Sequence, residues 1–339
     1  MAAGGVEHQR GSEPASGRPD LERPVVSRPV LSRPVLSRIE IVANERSGSV
    51  GPGAAQEAEA IARALGYDAH ARVLDPDALA DDLKAALDAR PDLLVVIAGD
   101  GTASAAAALC GPYGPLLAPL PGGTMNMLPH ALYGRLDWKS ALRLILTDGR
   151  ERPVAGGEVG GHNFYVAAVL GNPALWAPAR EALRARQFWR AVDYALYAWR
   201  RCFRRKLRFS LDGAPHVKAE ALALLCPLIS RRLADDATVL DAAAIDPRSW
   251  GDVLRLGLAA LLRPLIGPAL GGDWRVDPAV TSGQVREGRA YARRHIHAII
   301  DGEPARLART VHIRFRPVAF RALAPADDPH HPDAAAPPV

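Results

Sequence analysis

The sequence predicts an α/β domain with a parallel sheet followed by an antiparallel β-sandwich, and three observations lead to this fold class. Between residues 38 and 150, short β-rich segments alternate with helix-forming ones, as in strands joined by helical crossovers. Residues 93–97 are all apolar, which a strand buried on both faces of a parallel sheet requires. From residue 151 to 325, long β-rich segments replace that alternation, which favours a sandwich.

The elements of the first domain follow from local composition. Gly66 suits the left-handed position after a helix, and Asp75 followed by Pro76 is typical of a helix start. A further helix is expected directly after the glycine-rich turn at residues 99–102. The predicted strands are residues 39–44, 67–74, 93–97 and 115–120, and the other predicted helices are residues 54–66, 75–89 and 137–149.

The second domain is predicted from β-rich segments and a hairpin signal. Asp212–Gly213 is a dipeptide typical of a tight turn between antiparallel strands. The predicted strands are residues 163–171, 206–229 (with that turn), 238–246, 291–301 and 310–317, with helices at 179–201 and 249–262.

Both termini are predicted to be disordered. Residues 1–37 form an Arg/Pro-rich arm that repeats the sequence SRPV, and proline at that density blocks helices and sheet ladders. We interpret the arm as a linker or start-site extension, with a membrane- or partner-binding arm as the alternative. The tail at residues 326–339 has a similar composition.

Composition narrows the class of protein. The chain of 339 residues has a formal net charge of +5, which favours an anionic partner such as a nucleotide or an acidic membrane. It has no apolar run long enough to cross a bilayer and no secretory signal pattern, so we expect a cytoplasmic protein. The three cysteines are widely spaced and form neither a metal-ligand motif nor a disulfide framework.

Three glycine-rich loops follow strands of the predicted parallel sheet. They cover residues 44–53, 99–102 and 121–126. Ligands of such sheets bind beyond the carboxyl ends of the strands, where glycine backbones let phosphates approach closely. One such loop would be explained by packing alone, but three at one sheet edge indicate a polyphosphate site.

Four motifs in this order resemble those of the diacylglycerol kinase-type lipid kinases, a superfamily that includes sphingosine kinases and bacterial lipid kinases. No Walker A sequence is present, and the first strand lacks a GxGxxG fingerprint. The resemblance spans about 290 residues, whereas GDGT alone would also fit NAD kinases or phosphofructokinases. The motif residues are Asn44, Ser47 and Gly48; Ala98, Gly99, Asp100, Gly101 and Thr102; Pro121, Gly123, Thr124 and Asn126; and Asp301, Gly302 and Glu303.

This resemblance implies a fold and an activity. The fold is an NAD-kinase-like α/β domain joined to a β-sandwich, with the active site in the cleft between them. The activity is phosphorylation of a lipid hydroxyl by ATP, with Mg²⁺ on the phosphates. A lipid substrate and an anionic membrane surface are the expected partners, nucleic acid is not, and a homodimer is left open.

The resemblance also implies roles for single residues. Asn44 is the candidate on the adenosine side. By resemblance to bacterial members, Glu303 is the general base, and Asp301 is its orienting partner or a second carboxylate. Sphingosine kinases instead suggest Asp100, which otherwise orients a metal or water or holds its loop. The candidates near the phosphates are Ser47, Gly48, Gly99, Gly101, Thr102, Gly123, Thr124 and Asn126.

The sequence departs from the family pattern in three places. Ala98 replaces the first glycine of the GGDGT motif, and Met127 stands where many bacterial members carry Asp. A metal-associated Asp-Asp-Gly segment is also missing. Asp235, Asp236 and Asp241 stand in the equivalent region, where we expect a solvated loop and assign no metal ligand.

Two further features have competing interpretations. Residues 180–208 combine many arginines with aromatic side chains, which suits either peripheral membrane docking or an ordinary amphipathic helix. His295 and His297 share one face of a strand, where two histidines without a third ligand favour hydrogen bonding over a metal. Two functions compete with the lipid kinase: a soluble small-molecule kinase resembling NAD kinase, and a non-catalytic nucleotide or lipid sensor.

Overall fold

The computed structural model describes residues 33–171, 207–229, 238–246 and 280–326. Several predictions lie outside these residues: the arm up to residue 32, the helices at 179–201 and 249–262, Asp235 and Asp236, the tail from residue 327, and the basic aromatic stretch apart from its last two residues. Within the described residues, no helix is long and apolar enough to span a membrane.

The first part of the chain forms a parallel sheet flanked by helices. Its strands have the order β2-β1-β3-β4 and pair in parallel, and β3 and β4 are buried along their whole length. The four predicted strands are therefore confirmed. The elements are β1 (Arg38–Ala43), α1 (Ala54–Ala64), β2 (Asp68–Val73), α2 (Leu79–Asp88), β3 (Leu93–Ala98), α3 (Asp100–Cys110), β4 (Leu116–Pro121), α4 (Met127–Tyr133) and α5 (Trp138–Asp148).

One helix start differs from the prediction. α2 begins at Leu79 rather than at Asp75. Asp75 instead closes a turn, in which its Oδ1 accepts from the N–H of Asp77 (3.1 Å) and its carbonyl accepts from Ala78 (3.0 Å). An aspartate that bonds the backbone two residues on stabilises a turn in place of a helix cap.

The second part consists of antiparallel strands in two sheets. A six-stranded sheet has the order β12-β11-β10-β7-β14-β15, and its core-facing side chains pack with those of the other antiparallel strands. The predicted α/β-then-β fold class is thus confirmed. The strands are β5 (Gly149–Val159), β6 (His162–Phe164), β7 (Ala167–Gly171), β8 (Leu207–Leu211), β9 (Val217–Ala219), β10 (Ala221–Leu225), β11 (Leu240–Ile245), β12 (Val280–Val285), β13 (Glu287–Tyr291), β14 (Ile296–Ile300), β15 (Glu303–Leu307) and β16 (Thr310–Pro325).

Strand β16 belongs to both parts of the molecule. Its first half pairs with β13, and its second half reaches β4, where Ala322 pairs with Leu117 in parallel. Phe320 and Leu323 are buried in the core of the parallel sheet. A ten-stranded sheet therefore runs from the α/β part into the sandwich. This continuity fixes the two parts to each other, and the domain boundary near residue 150 stays a prediction.

Two predicted strands are divided in the structure. Residues 163–171 form β6 and β7, separated at Tyr165 and Val166, and residues 291–301 contain the end of β13 and then β14. The Asp212–Gly213 turn is confirmed, since both residues have positive φ (44° and 75°) and the N–H of Ala214 donates to the carbonyl of Leu211 (2.8 Å).

Candidate active site

The three glycine-rich loops lie together at the carboxyl edge of the parallel sheet. The first loop bonds the third, because the N–H of Ser49 donates to the carbonyl of Gly122 (3.2 Å). The second and third loops touch, since a Cβ placed on Gly123 would lie 2.7 Å from the Cα of Gly99. Only glycine permits so close an approach of two backbones. The structure thus assembles these loops into one surface.

Helix α3 begins in the second loop and carries the GDGT motif. Gly99 is its N-cap, with extended backbone, and Asp100, Gly101 and Thr102 form its first turn. The first N–H groups of a helix have no partner within the helix, so they are suited to an anion. A Cβ on Gly101 would meet no atom within 4 Å, so the space beside this backbone is open.

Asn126 closes the third loop on itself. Its Oδ1 accepts from the N–H of Gly123 (2.7 Å), and its Nδ2 donates to the carbonyl of the same residue (2.9 Å). Asn126 is 8% exposed and has a left-handed backbone (φ 50°). It therefore shapes the loop, whereas Thr124 is exposed and faces Gly48 of the first loop.

Asp100 binds the backbone of Met127, the residue that follows the third loop and begins α4. Its Oδ1 accepts from the N–H of Met127 at 2.6 Å. Burial raises the pKa of this carboxyl above its ordinary value, opposed by backbone N–H groups of residues 126–128 and by His130. Among the roles predicted for Asp100, this hydrogen bond supports that of holding the loop.

Asp301 is buried and accepts hydrogen bonds from the backbone between the end of β6 and the start of β7. Its carboxylate accepts from the N–H groups of Tyr165 (2.7 Å), Val166 (2.9 Å) and Ala167 (2.9 Å), and it is 5% exposed. Burial raises the pKa of Asp301 to about 6, and the charge of Asp100 adds to this rise. This carboxylate holds the backbone of residues 165–167, and its predicted role beside Glu303 stays a prediction.

Met127 joins the Asp301 turn to the glycine-rich loops. Its N–H binds Asp100, and its Sδ lies 3.2 Å from the place where Gly302 would carry a Cβ. The sequence marks Met127 only as a departure from the family pattern and does not predict its contacts with Asp100 and Gly302. The signal that could have indicated these contacts is the position of Met127 directly after Asn126, the last residue of the third motif segment.

Glu303 follows directly on the Asp301–Gly302 turn. It is the first residue of β15, pairs with Ile300, and is exposed. A carboxylate here is open to a ligand and lies next in the chain to the residue that touches Met127. The structure thus brings the fourth motif to the other three.

Asn44 and Ser47 complete the first loop. The Oδ1 of Asn44 accepts from the N–H of Arg46 (3.1 Å), and its carbonyl accepts from the N–H of Ser47 (2.9 Å). The Oγ of Ser47 would lie 3.5 Å from a Cβ on Gly99, so this hydroxyl stands over the GDGT turn. Ser47 is therefore beside the predicted phosphate loop.

A pair of alanine substitutions tests how the loops are joined. Gly123→Ala forces a backbone contact of 2.7 Å to open, so we expect a thermal midpoint lower by about 5 °C or more and weaker nucleotide binding. Gly101→Ala meets no protein atom, so we expect an unchanged or slightly raised midpoint, with weaker binding only if a ligand uses that space. Calorimetry with and without ATP measures both. Equal thermal midpoints for the two variants would contradict the close backbone contact between Gly123 and Gly99.

Two weaker candidates have other roles in the structure. The Nε2 atoms of His295 and His297 are 2.9 Å apart, and Arg306 lies 3.2 Å from the Nδ1 of His295. This agrees with the predicted hydrogen bonding, and no three His, Cys, Asp or Glu side chains among the described residues are grouped to hold a metal. Asp241 lies on β11 and is 7% exposed, so the expectation of a solvated loop is wrong there.

Comparison with known proteins finds one family profile and several similar folds. Residues 38–159 match the profile of the diacylglycerol kinase catalytic domain. A diacylglycerol kinase structure from Bacillus anthracis is 15% identical, with a TM-score of 0.62 over 87% of this chain and 99% of that one. A candidate diacylglycerol kinase from the same strain is 17% identical, with a TM-score of 0.64 over 87% and 99%. No curated protein sequence matches the chain.

The two kinds of match carry different weight. The structural likenesses, at such low identity, establish the fold over nearly the whole length of those proteins. The profile match covers the three glycine-rich loops and ends before Asp301. Residues 38–159 are therefore similar to a diacylglycerol kinase catalytic domain, and the structural matches support the same type of fold for the rest of the chain.

Proposed function

We propose that the chain is a kinase that transfers the γ-phosphate of ATP to a hydroxyl of diacylglycerol or a related lipid alcohol. The observation that carries this proposal is the meeting of all four motifs through Met127, which binds Asp100 and touches Gly302. The family profile covers only the first three motifs, so the fourth is joined to them by geometry alone.

The glycine-rich loops would hold the nucleotide. The open space beside Gly101 and the first turn of α3 would receive phosphates, with the Ser47 hydroxyl close to Gly99. Thr102 is 9% exposed at the same helix start. The exposed Thr124 faces Gly48, and Asn44 belongs to the same loop as Gly48, which suits the adenosine side.

A general base would activate the lipid hydroxyl. Such a hydroxyl loses its proton only far above neutral pH, so attack on phosphorus benefits from a positioned carboxylate. Glu303 is exposed and not engaged by any of the described residues in a salt bridge, whereas Asp100 and Asp301 accept backbone hydrogen bonds. We therefore assign the base to Glu303, with Asp301 fixing the turn that carries it.

Mg²⁺ is compatible with the residues present. This ion is usually bound by one or two carboxylates together with substrate phosphates and water, so an all-protein cage is not needed. Asp100, in the first turn of α3 beside the phosphate loop, is the carboxylate that would help to hold it. When bound, Mg²⁺ would neutralise negative charge on the phosphates.

Phosphate transfer from labelled ATP tests the proposal. The purified chain is incubated with Mg²⁺ and, in separate reactions, with diacylglycerol, a sphingoid base, other lipid alcohols and NAD. We expect label in diacylglycerol or another lipid alcohol. Label in NAD alone would replace the proposal with a soluble small-molecule kinase. ATP binding without transfer to any acceptor would replace it with a non-catalytic sensor.

A further inference from the structure

One face of the antiparallel strands β8, β9, β13 and β16 is rich in basic side chains. Alternate residues of these strands, such as Phe209, Ala290 and Ile313, are buried in the sandwich core, so their neighbours point outward. We name the outward residues the basic sheet face, and all five of its cationic side chains are exposed. They are Arg208, Lys218, Arg289, Arg314 and Arg316, accompanied by Ser210, Tyr291 and His312.

Strand register sets two cations directly opposite each other on this face. Arg208 pairs directly with Lys218, and Arg289 pairs with His312 on one side and Ser210 on the other. Like charges directly opposite each other destabilise a sheet. The folded chain thus carries a repulsion here that a bound anion would relieve.

Few carboxylates offset this charge. Glu158 forms an ion pair with Arg316, and Arg314 lies in the register between Glu158 and Glu287, so two carboxylates stand against five cations. Arg208 donates to the hydroxyl of Tyr291 (2.8 Å), a neutral partner. Within the part of the chain that the structure describes, Arg289, Arg314 and Lys218 form no salt bridge.

The face is also concave. A groove of about 370 Å³ opens between the strands, and the space beside Gly213, which lines it, is open. Its polar lining includes Ser210, Arg289, His312 and Arg314, and Glu287 is the carboxylate that lines it. Hydroxyl, guanidinium and imidazole groups around an open groove are suited to a phosphate headgroup rather than to an enclosed small molecule.

We propose that the basic sheet face docks onto an anionic phospholipid surface. The choice of occupant rests on the proposed function, since a kinase for a bilayer lipid has to reach that surface. Each Lys or Arg near such a surface contributes about a fivefold gain in partitioning. Of the predicted docking stretch at residues 180–208, the structure describes residues 207 and 208, and Arg208 belongs to this face.

Vesicle sedimentation of the full chain tests the proposal. We expect binding to vesicles with 30% phosphatidylglycerol in phosphatidylcholine, weakening with added NaCl, and little binding to pure phosphatidylcholine. Arg208→Glu with Arg289→Glu should weaken binding at least about 30-fold. The new glutamates face Lys218 and His312, so the sheet gains favourable pairs. Arg289→Gln with Arg314→Gln should weaken binding about tenfold or more without adding negative charge.

A matched pair of substitutions controls for overall charge. Lys84→Glu with Arg135→Glu changes net charge equally at exposed positions of the α/β part and should bind as the unmodified chain does. Three outcomes would each overturn the proposal. They are an equal loss of binding in this control, undiminished binding of both face variants, and binding of duplex DNA but not of vesicles. Transfer to detergent-dispersed lipid needs no vesicle surface, so it should survive the face substitutions and reports separately on the proposed kinase activity.

Discussion

Glu303→Gln is expected to lower kcat by about 100-fold or more while leaving the affinity for ATP nearly unchanged. Glutamine keeps the size and the hydrogen-bonding reach of the side chain but cannot accept the substrate proton. Glu303 is exposed at the start of β15 and pairs only through its backbone, so the substitution leaves the fold intact. Single-turnover phosphate transfer, together with ATP binding measured by calorimetry, separates the chemical step from binding.

Asp100→Asn is the competing experiment. An asparagine at this position still offers an oxygen to the N–H of Met127, so the loop contact seen at 2.6 Å is retained while the charge is lost. Full activity of Glu303→Gln, combined with inactivity of Asp100→Asn, would move the base to Asp100. Asp81→Asn removes an exposed carboxylate from α2, and we expect it to behave as the unmodified chain in both assays.

The parallel strands and the loops that follow them were predictable because their signals are local. An all-apolar strand such as residues 93–97 and a glycine-rich turn after it can be recognised in a dozen residues. Strands β5, β12, β15 and most of β13 were missed, because their sequences are largely polar or are interrupted by glycine or proline. Their pairing depends on partners far away in the chain.

The candidate site shows the same division between local and distant contacts. Its motif residues were identified, but the roles of Asp301 and Met127 came from contacts with residues remote in sequence. The backbone partners of the Asp301 carboxylate are at least 134 residues away, at Ala167 and in the gap between β6 and β7. That gap was predicted as continuous strand, because nothing in its apolar sequence reveals that its N–H groups bind a side chain instead of a neighbouring strand.

Asp301→Ala is expected to lower the free energy of unfolding by about 3 kcal/mol or more, because three buried N–H groups lose their acceptor. Asp212→Ala is the matched control. Asp212 also precedes a glycine, has the same φ of 44°, and accepts the N–H groups of Arg286 and Glu287. It is exposed, so water can replace its carboxylate, and we expect a loss of about 1 kcal/mol. Urea denaturation measures both, and equal losses would show that Asp301 is no more than a turn residue.

The pH dependence of stability provides the second test of Asp301. Burial raises its pKa from the ordinary 3.8 to about 6, so between these pH values the folded chain holds a proton that the unfolded chain has released. Raising the pH through this window therefore favours unfolding, by on the order of 3 kcal/mol at about 1.4 kcal/mol per pKa unit. Asp301→Asn lacks this proton, so the stability of the unmodified chain relative to that variant should fall from pH 4 to pH 6 and then level off. A relative stability that rises across this range would mean that the three N–H donors outweigh burial and hold the carboxylate ionised.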